Sequence, residues 1–281
     1  MYWQTTRFNI DLTLPRVMGI VNVTPDSFSD GGHHDTLASA LRHCERLLKD
    51  GADILDIGGE SSRPGAAPVP LAQELERVLP LVQQAIQFNV PISVDTYKAE
   101  VMQAALDAGA DIINDVYALR MGAASGVVTA HPNCGICLMH MHGSPETMTH
   151  DKMQGDVLPQ VLSFWGQAVA DLLAKNVKPQ RIVLDPGIGF GKTVQQNFDL
   201  LKRQSELLES AYPLLVGWSR KSSLAAAVST SLATLASLDA RDRLVPSVTA
   251  ALLAVQRGAS VVRVHDVRET VQALRVLNAI K

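Results

Sequence analysis

The chain has 281 residues, 47% of them hydrophobic and 19% charged, and a net charge of -3. That balance argues against nucleic-acid binding, which needs a clustered basic excess. The opening MYWQTTRFNIDL holds no apolar segment of signal-peptide length, and no later run approaches the roughly 18 residues that span a membrane, so a soluble cytoplasmic protein is expected. Cys44, Cys134 and Cys137 are an odd count with no disulfide framework, which suits a reducing compartment.

The first twelve residues precede any barrel strand and are expected to form a small hairpin that plugs the bottom of the fold. Short β-branched runs follow at roughly 17–21, 53–57, 91–95, 111–114, 135–139, 181–185, 213–217 and 261–264. Between them, stretches such as 36–49, 71–88, 97–108 and 156–175 carry helical periodicity. Glycine in DGAD, AGAD and RGAS closes a helix just before the next strand. Eight such βα units in about 250 residues, with parallel pairing and right-handed crossovers, fit a closed (β/α)8 barrel better than an open doubly wound sheet. No linker or low-complexity tract divides the chain, so 1–281 reads as one domain; 225–238 reads as a loose helical connection in the seventh unit.

Seven of the runs end in polar residues. They are GIVNVTPDSFSDGG at 19–32, LDIGGESSRPG at 55–65, ISVDT at 92–96, IINDV at 112–116, VLDPGIGFGK at 183–192, VGWSRKS at 216–222 and VVRVHD at 261–266. In a barrel of this type the strand C-termini form the active-site mouth, which collects Asn22, Arg63, Asp95, Asn114, Asp185, Lys221, Arg263 and His265. Arg63, Arg263, His265 and Lys221 suit an anion; Asp95, Asn114 and Asp185 suit N–H donors. A single Asp or Asn at a strand end is more often a helix cap than a catalytic group, but the repetition at one mouth outweighs that reading.

Three other patterns read as structural. His140 and His142 alternate as metal ligands can, yet no third ligand is apparent and no zinc is assigned. GIGFGKT lacks the first glycine of a phosphate-binding P-loop, Pro186 standing there. Cys134-Gly135-Ile136-Cys137 enters a strand instead of opening a helix, so buried thiols are expected.

NVTPDSFSDGG, GGES-RPG, SVDT, IND, LMHM-G, LDPG-GFGK, SRKS and RVHDV follow one another, from about Val17 to Ala279, in an order and spacing that resemble the dihydropteroate synthases. The resemblance implies condensation of hydroxymethyl-dihydropterin diphosphate with para-aminobenzoate, sulfonamide competition, and a homodimer formed through late helices, for which an apolar face around Val248 to Val255 would serve. Ser62 stands where the family usually has Thr, His142 where Gln is common, and Trp218 lies inside VG-SRKS.

Physical chemistry fits those roles. Asp185 is expected to take two parallel N–H bonds from the aminopyrimidinone edge of a pterin, with Asn114, Asp95 and Lys221 completing the set and Arg263 stacking on the ring. The resemblance implies that Met139, Phe190 and Gly217 wall it; core packing is the alternative for Met139 and Phe190. Arg63, Arg263 and His265, with Asn22 and Ser62, form the expected diphosphate site, and Asn22 is the expected Mg2+ ligand, Asp35 a weaker one. Asp95, Asp185, Lys221, Arg63, Arg263 and His265 are the expected catalytic groups, in a dissociative substitution with no dedicated base. Lys221, Ser222 and the helix start behind them would hold the para-aminobenzoate carboxylate, in a slot of Phe28, Pro64 and Phe190. Gly31-Gly32 and Gly58-Gly59 suggest that the first two loops order on binding. A pterin-dependent methyltransferase or a noncatalytic pterin-binding module are the alternatives.

Overall fold

The computed structural model describes residues 1–23, 33–61, 66–144, 147–148, 150–229 and 241–280. A two-stranded antiparallel hairpin, β1 (Tyr2–Gln4) and β2 (Asn9–Asp11), opens the chain. β3 (Arg16–Asn22), β4 (Ile54–Gly58), β5 (Ile92–Asp95), β6 (Ile112–Asp115), β7 (Gly135–Met139), β8 (Ile182–Asp185), β9 (Leu214–Val216) and β10 (Ala259–Val264) follow. These eight are parallel and close into a barrel, β10 pairing with both β9 and β3. Around them lie α1 (His33–Asp50), α2 (Leu71–Ala85), α3 (Ala99–Asp107), α4 (Ala124–Ala130), α5 (Val157–Leu173), α6 (Val194–Lys202), α7 (Gln204–Leu207), α8 (Ser222–Val228), α9 (Leu244–Gln256) and α10 (Val267–Ala279). No described helix is long and apolar enough to cross a membrane.

The two-residue period of a strand sorts each run into an outer and an inner set. Leu55, Ile57, Val94, Ile113, Leu138, Leu184, Val216 and Val262 face outward and pack against the helices. On the inside, Met18, Ile54, Ile112, Cys137, Val183, Leu215 and Val261 form an apolar floor, closed from below by Trp3, Ile10 and Leu12 of the hairpin. The expected plug is therefore present. The Trp3 indole donates to the Arg181 carbonyl at 2.9 Å, and Arg7 pairs with buried Asp111.

One inward step further along four of the strands the character changes from apolar to polar. Asp56 follows Ile54, Asn114 follows Ile112, Asp185 follows Val183 and Arg263 follows Val261. The floor thus supports a charged layer directly beneath the mouth.

Most elements fall where the sequence places them. α3 starts at Ala99 and not at Tyr97, because Tyr97 and Lys98 are drawn back to the end of β4: the Tyr97 hydroxyl donates to Glu60 at 2.9 Å, and Lys98 bridges Glu60 and Glu74. Within 225–238 the described part is the end of α8 and the residue after it; the rest lies outside the described residues. The apolar face at Val248 to Val255 is partly consumed by the barrel, since Val255 and Ala251 are buried, while Val245 and Val276 are exposed.

The cysteines are free, buried core thiols, and burial raises Cys134 and Cys137 above the usual thiol range. Thr193 of the GKT run caps α6 in a reciprocal capping box with Gln196, and Lys192 is buried beneath it.

The candidate active site at the barrel mouth

A cavity of about 390 Å³ opens at the strand C-termini. Asn22, Asp95, Asn114, Met139, Asp185, Phe190, Gly217, Lys221, Ser222, Arg263 and His265 all line it, so residues spread over most of the chain converge on one space. Phe28, Ser62, Arg63 and Pro64 lie outside the described residues, as does the side chain of Asp35.

The centre of the charged layer is an ion cluster. Arg263 donates from Nε to Asp56 at 2.6 Å and from Nη2 to Asp95 at 2.7 Å. Asp56 is completely buried and also accepts from the Asn114 amide at 3.3 Å, so one carboxylate orients two groups that face the cavity. Burial pushes Asp95 up to about 7 despite the pull of Arg263, with Asp56 adding to the rise. The Arg263 guanidinium, although buried, is held above its ordinary range by the two carboxylates. With Nε and Nη2 engaged, Arg263 offers a ligand its remaining amino group and its planar face. It is not the open fork expected for diphosphate.

Asp185 closes β8, lines the cavity and is 6% exposed; its Oδ1 accepts from the Gly187 amide at 2.7 Å. Burial raises its carboxyl to about 6, against that amide, Lys221, Arg263 and Lys192. Lys221 stands opposite, its ammonium 4.2 Å from the centroid of the Phe190 ring. Burial and Arg263 bring it down to about 8, while Asp185 and Asp95 hold it up. Met139 and Phe190 belong to one apolar cluster with Val116, Met141 and Met148, which makes a flat wall beside the carboxylates.

At the rim, His265 Nδ1 lies 3.0 Å from the Ser219 hydroxyl, which also accepts from the His265 backbone amide at 3.1 Å. Arg220 adopts a left-handed backbone, φ 58°, and pairs with Asp266. Arg243 donates to the Arg220 carbonyl at 2.9 Å and lines the cavity. Ser222 is exposed at the first turn of α8 and lines the cavity.

Sequence reasoning missed Asp56, Ser219, Arg220 and Arg243. Asp56 had a signal: it is a charged residue on the inward period of a strand otherwise wholly buried. Arg220 and Ser219 lie inside the SRKS motif and were hidden by their neighbours. Trp218 fills space behind the site, tilted against Phe198 with ring centroids 5.4 Å apart. His140 and His142 point to different partners: His140 to Lys192, His142 to Asp151 at 3.4 Å.

A (β/α)8 barrel whose mouth pairs buried carboxylates with an apolar wall and a lysine is built for a flat, donor-rich heterocycle. Residues 18–265 match the model of the pterin binding enzyme family. A dihydropteroate synthase of Neisseria meningitidis serogroup C is 47% identical over 281 residues, covering 99% of this chain and 97% of the relative. The Yersinia pestis dihydropteroate synthase solved with a sulfonamide drug complex superimposes with a TM-score of 0.91 at 42% identity, covering 100% of this chain and 99% of that one. The Burkholderia cenocepacia enzyme complexed with 7,8-dihydropteroate gives 0.88 at 45% identity, covering 99% and 96%. The chain belongs to the pterin-binding enzymes, and within them to the dihydropteroate synthases.

Proposed function

We propose that this chain condenses 6-hydroxymethyl-7,8-dihydropterin diphosphate with para-aminobenzoate, giving 7,8-dihydropteroate and diphosphate in folate biosynthesis. The observation that carries the proposal is the convergence of Asp185, Asn114, the Asp95–Arg263 pair and Lys221 on one cavity, in a chain nearly half identical to a synthase over its whole length.

Asp185 Oδ2 accepts N–H bonds from the aminopyrimidinone edge, while Asn114, fixed by Asp56, and Lys221 satisfy the rest of that edge. Met139 and Phe190 cover one face of the ring, and the Arg263 guanidinium lies against the ring system as a planar cation. Diphosphate extends toward the rim, to His265 and Asn22, with Arg63 and Ser62 from the second loop. Arg220 is the additional rim cation that the geometry contributes.

In the reaction, the bond from the exocyclic methylene carbon to the diphosphate oxygen breaks and takes its electron pair with the leaving group. The carbocation that remains is conjugated with the dihydropterin, and the Asp95 and Asp185 carboxylates that line the cavity favour it. The para-aminobenzoate nitrogen then forms the new C–N bond and loses a proton to solvent. Its carboxylate sits at Lys221, Ser222 and the α8 amides, which place the neutral amine near the methylene, and proximity replaces a general base. A sulfonamide competes for that position.

Asn22, half-buried on the cavity wall, would hold Mg2+. No cluster of three His, Cys, Asp or Glu stands among the described residues; held by Asn22, the cation would take most of its oxygens from diphosphate and water. When bound, Mg2+ would supply charge neutralisation to the leaving group. The protein acts as a cytoplasmic homodimer in this reading, Val245 of α9 and Val276 of α10 being available as apolar surface. The test is formation of 7,8-dihydropteroate from the two substrates with and without Mg2+. Magnesium-dependent product is expected; tight pterin binding without product would return the protein to the class of binding modules.

A further inference from the structure

Behind the cavity, the turn from β8 to α6 contains a buried ammonium that plays no part in the scheme above. Lys192 is 2% exposed. Its Nζ lies 2.9 Å from His140 Nδ1, 2.9 Å from the Gly187 carbonyl and 3.2 Å from each of the carbonyls of His140 and Phe190. All four neighbours present lone pairs to one point inside the protein. Three N–H bonds shared among four acceptors that meet at one point suit a compact ammonium, whereas the planar guanidinium fork of arginine would spread its donors apart.

The convergence is imposed by close backbone packing. A Cβ on Gly187 would stand 1.9 Å from the His140 carbonyl oxygen, and one on Gly191 would stand 2.2 Å from that of His142; both glycines have left-handed φ, 66° and 68°. The turn therefore lies directly on the end of β7, with carbonyls brought together that repel one another unless a donor sits between them. The same turn carries the groups that face the substrate. Gly187 donates its amide to Asp185 Oδ1 at 2.7 Å, and Phe190 supplies the ring beneath Lys221.

We propose that Lys192 is a positioning residue for the pterin site, acting through the turn at 186–191 to fix the Asp185 carboxylate and the Phe190 ring, with neutral His140 as its fourth acceptor. Burial and the adjacent ammonium drive His140 down to about 2, which leaves Nδ1 unprotonated to accept and puts the ring proton on Nε2. The groups facing this cluster are Asp185 from β8, Lys221 from the turn after β9, and Arg120 and His142 around His140. Lys192 in turn lowers Asp185, so its positive charge favours the ionised carboxylate on which pterin recognition depends. Burial brings Lys192 down to about 7 and Asp185 opposes that fall.

The inference rests on the synthase reading, and the wild-type enzyme making product settles that reading by itself. Lys192→Met is the test, compared with wild type for the KM of each substrate and for the pH profile of kcat/KM. The KM for the pterin diphosphate should rise about tenfold or more, that for para-aminobenzoate should rise less, and the acid limb should move to higher pH as Asp185 loses a neighbouring cation. A folded variant with unchanged pterin KM and an unmoved acid limb overturns the proposal, whatever its melting temperature. If Lys192→Met does not accumulate in folded form, His140→Leu decides by the KM split, since it removes one acceptor of the ammonium and leaves the cation beside Asp185 in place. A pterin KM raised more than that for para-aminobenzoate, with the acid limb where it was, supports the positioning role; wild-type KM values for both substrates refute it.

Discussion

Asp56 shows how a single residue organises this site without being recognisable as part of it. It sits one inward step below the rim, entirely buried, and holds both the Arg263 guanidinium and the Asn114 amide. Its negative charge also raises Asp95, while burial alone raises Asp185. Both carboxylates act in the ionised form, and each has its proton affinity increased, so activity is lost as pH falls through values well above the ordinary carboxylate range. The acid limb of kcat/KM should lie between pH 6 and 7, bracketed by Asp185 at about 6 and Asp95 at about 7. Asp56→Asn should move that limb downward, because the carboxylate repelling Asp95 is gone, and should weaken pterin binding about tenfold, ~1.4 kcal/mol for one charge-assisted hydrogen bond made neutral. A limb near pH 4 in wild type, or no movement in the variant, would contradict this electrostatic account. Asp95, Asn114 and Asp185 were legible in the sequence because each comes at the end of an apolar run, and Arg263 because it opens the polar RVHD segment. Asp56 was not, because LDIG continues as strand on both sides of it.

Among the elements, the strands were legible from runs of β-branched residues and their inward polar positions from the two-residue period, which fixes register wherever one face is apolar. Helix starts were less so, since they depend on contacts across the fold: Tyr97 and Lys98 look helical, yet Glu60 holds them extended. The tight turn after β8 was readable as GIGFG but not its purpose. Gly187 and Gly122 share left-handed φ and differ in surroundings, since a Cβ at Gly122 meets nothing within 4 Å. Gly122→Ala should therefore cost only about 1 kcal/mol of backbone strain. Gly187→Ala must displace the His140 backbone just after β7 and should cost well beyond ~3 kcal/mol, with loss of pterin binding. Thermal melts of the two variants compare these directly; equal destabilisation would show that the close approach to His140 is not what requires glycine.

At the level of the whole molecule, the barrel separates stability from chemistry along its axis. The hairpin and the floor carry no group that reaches the mouth, and Trp3 is fully buried among Met18, Ile54 and Val183 of that floor. Trp3→Ala should cost about 3–5 kcal/mol of stability. Its folded fraction should keep wild-type kcat/KM, as measured by urea unfolding and by assay at low temperature; a fall in both together would mean that the plug also shapes the mouth. The central claim concerns the opposite end, where Asp185 anchors the pterin edge. Its most direct test is equilibrium binding of a dihydropterin to wild type and to Asp185→Asn, with melting temperature as a control. We predict about hundredfold weaker binding in a stably folded variant, because the substituted amide turns a donor toward the ring's own donors; binding within twofold of wild type would contradict the account.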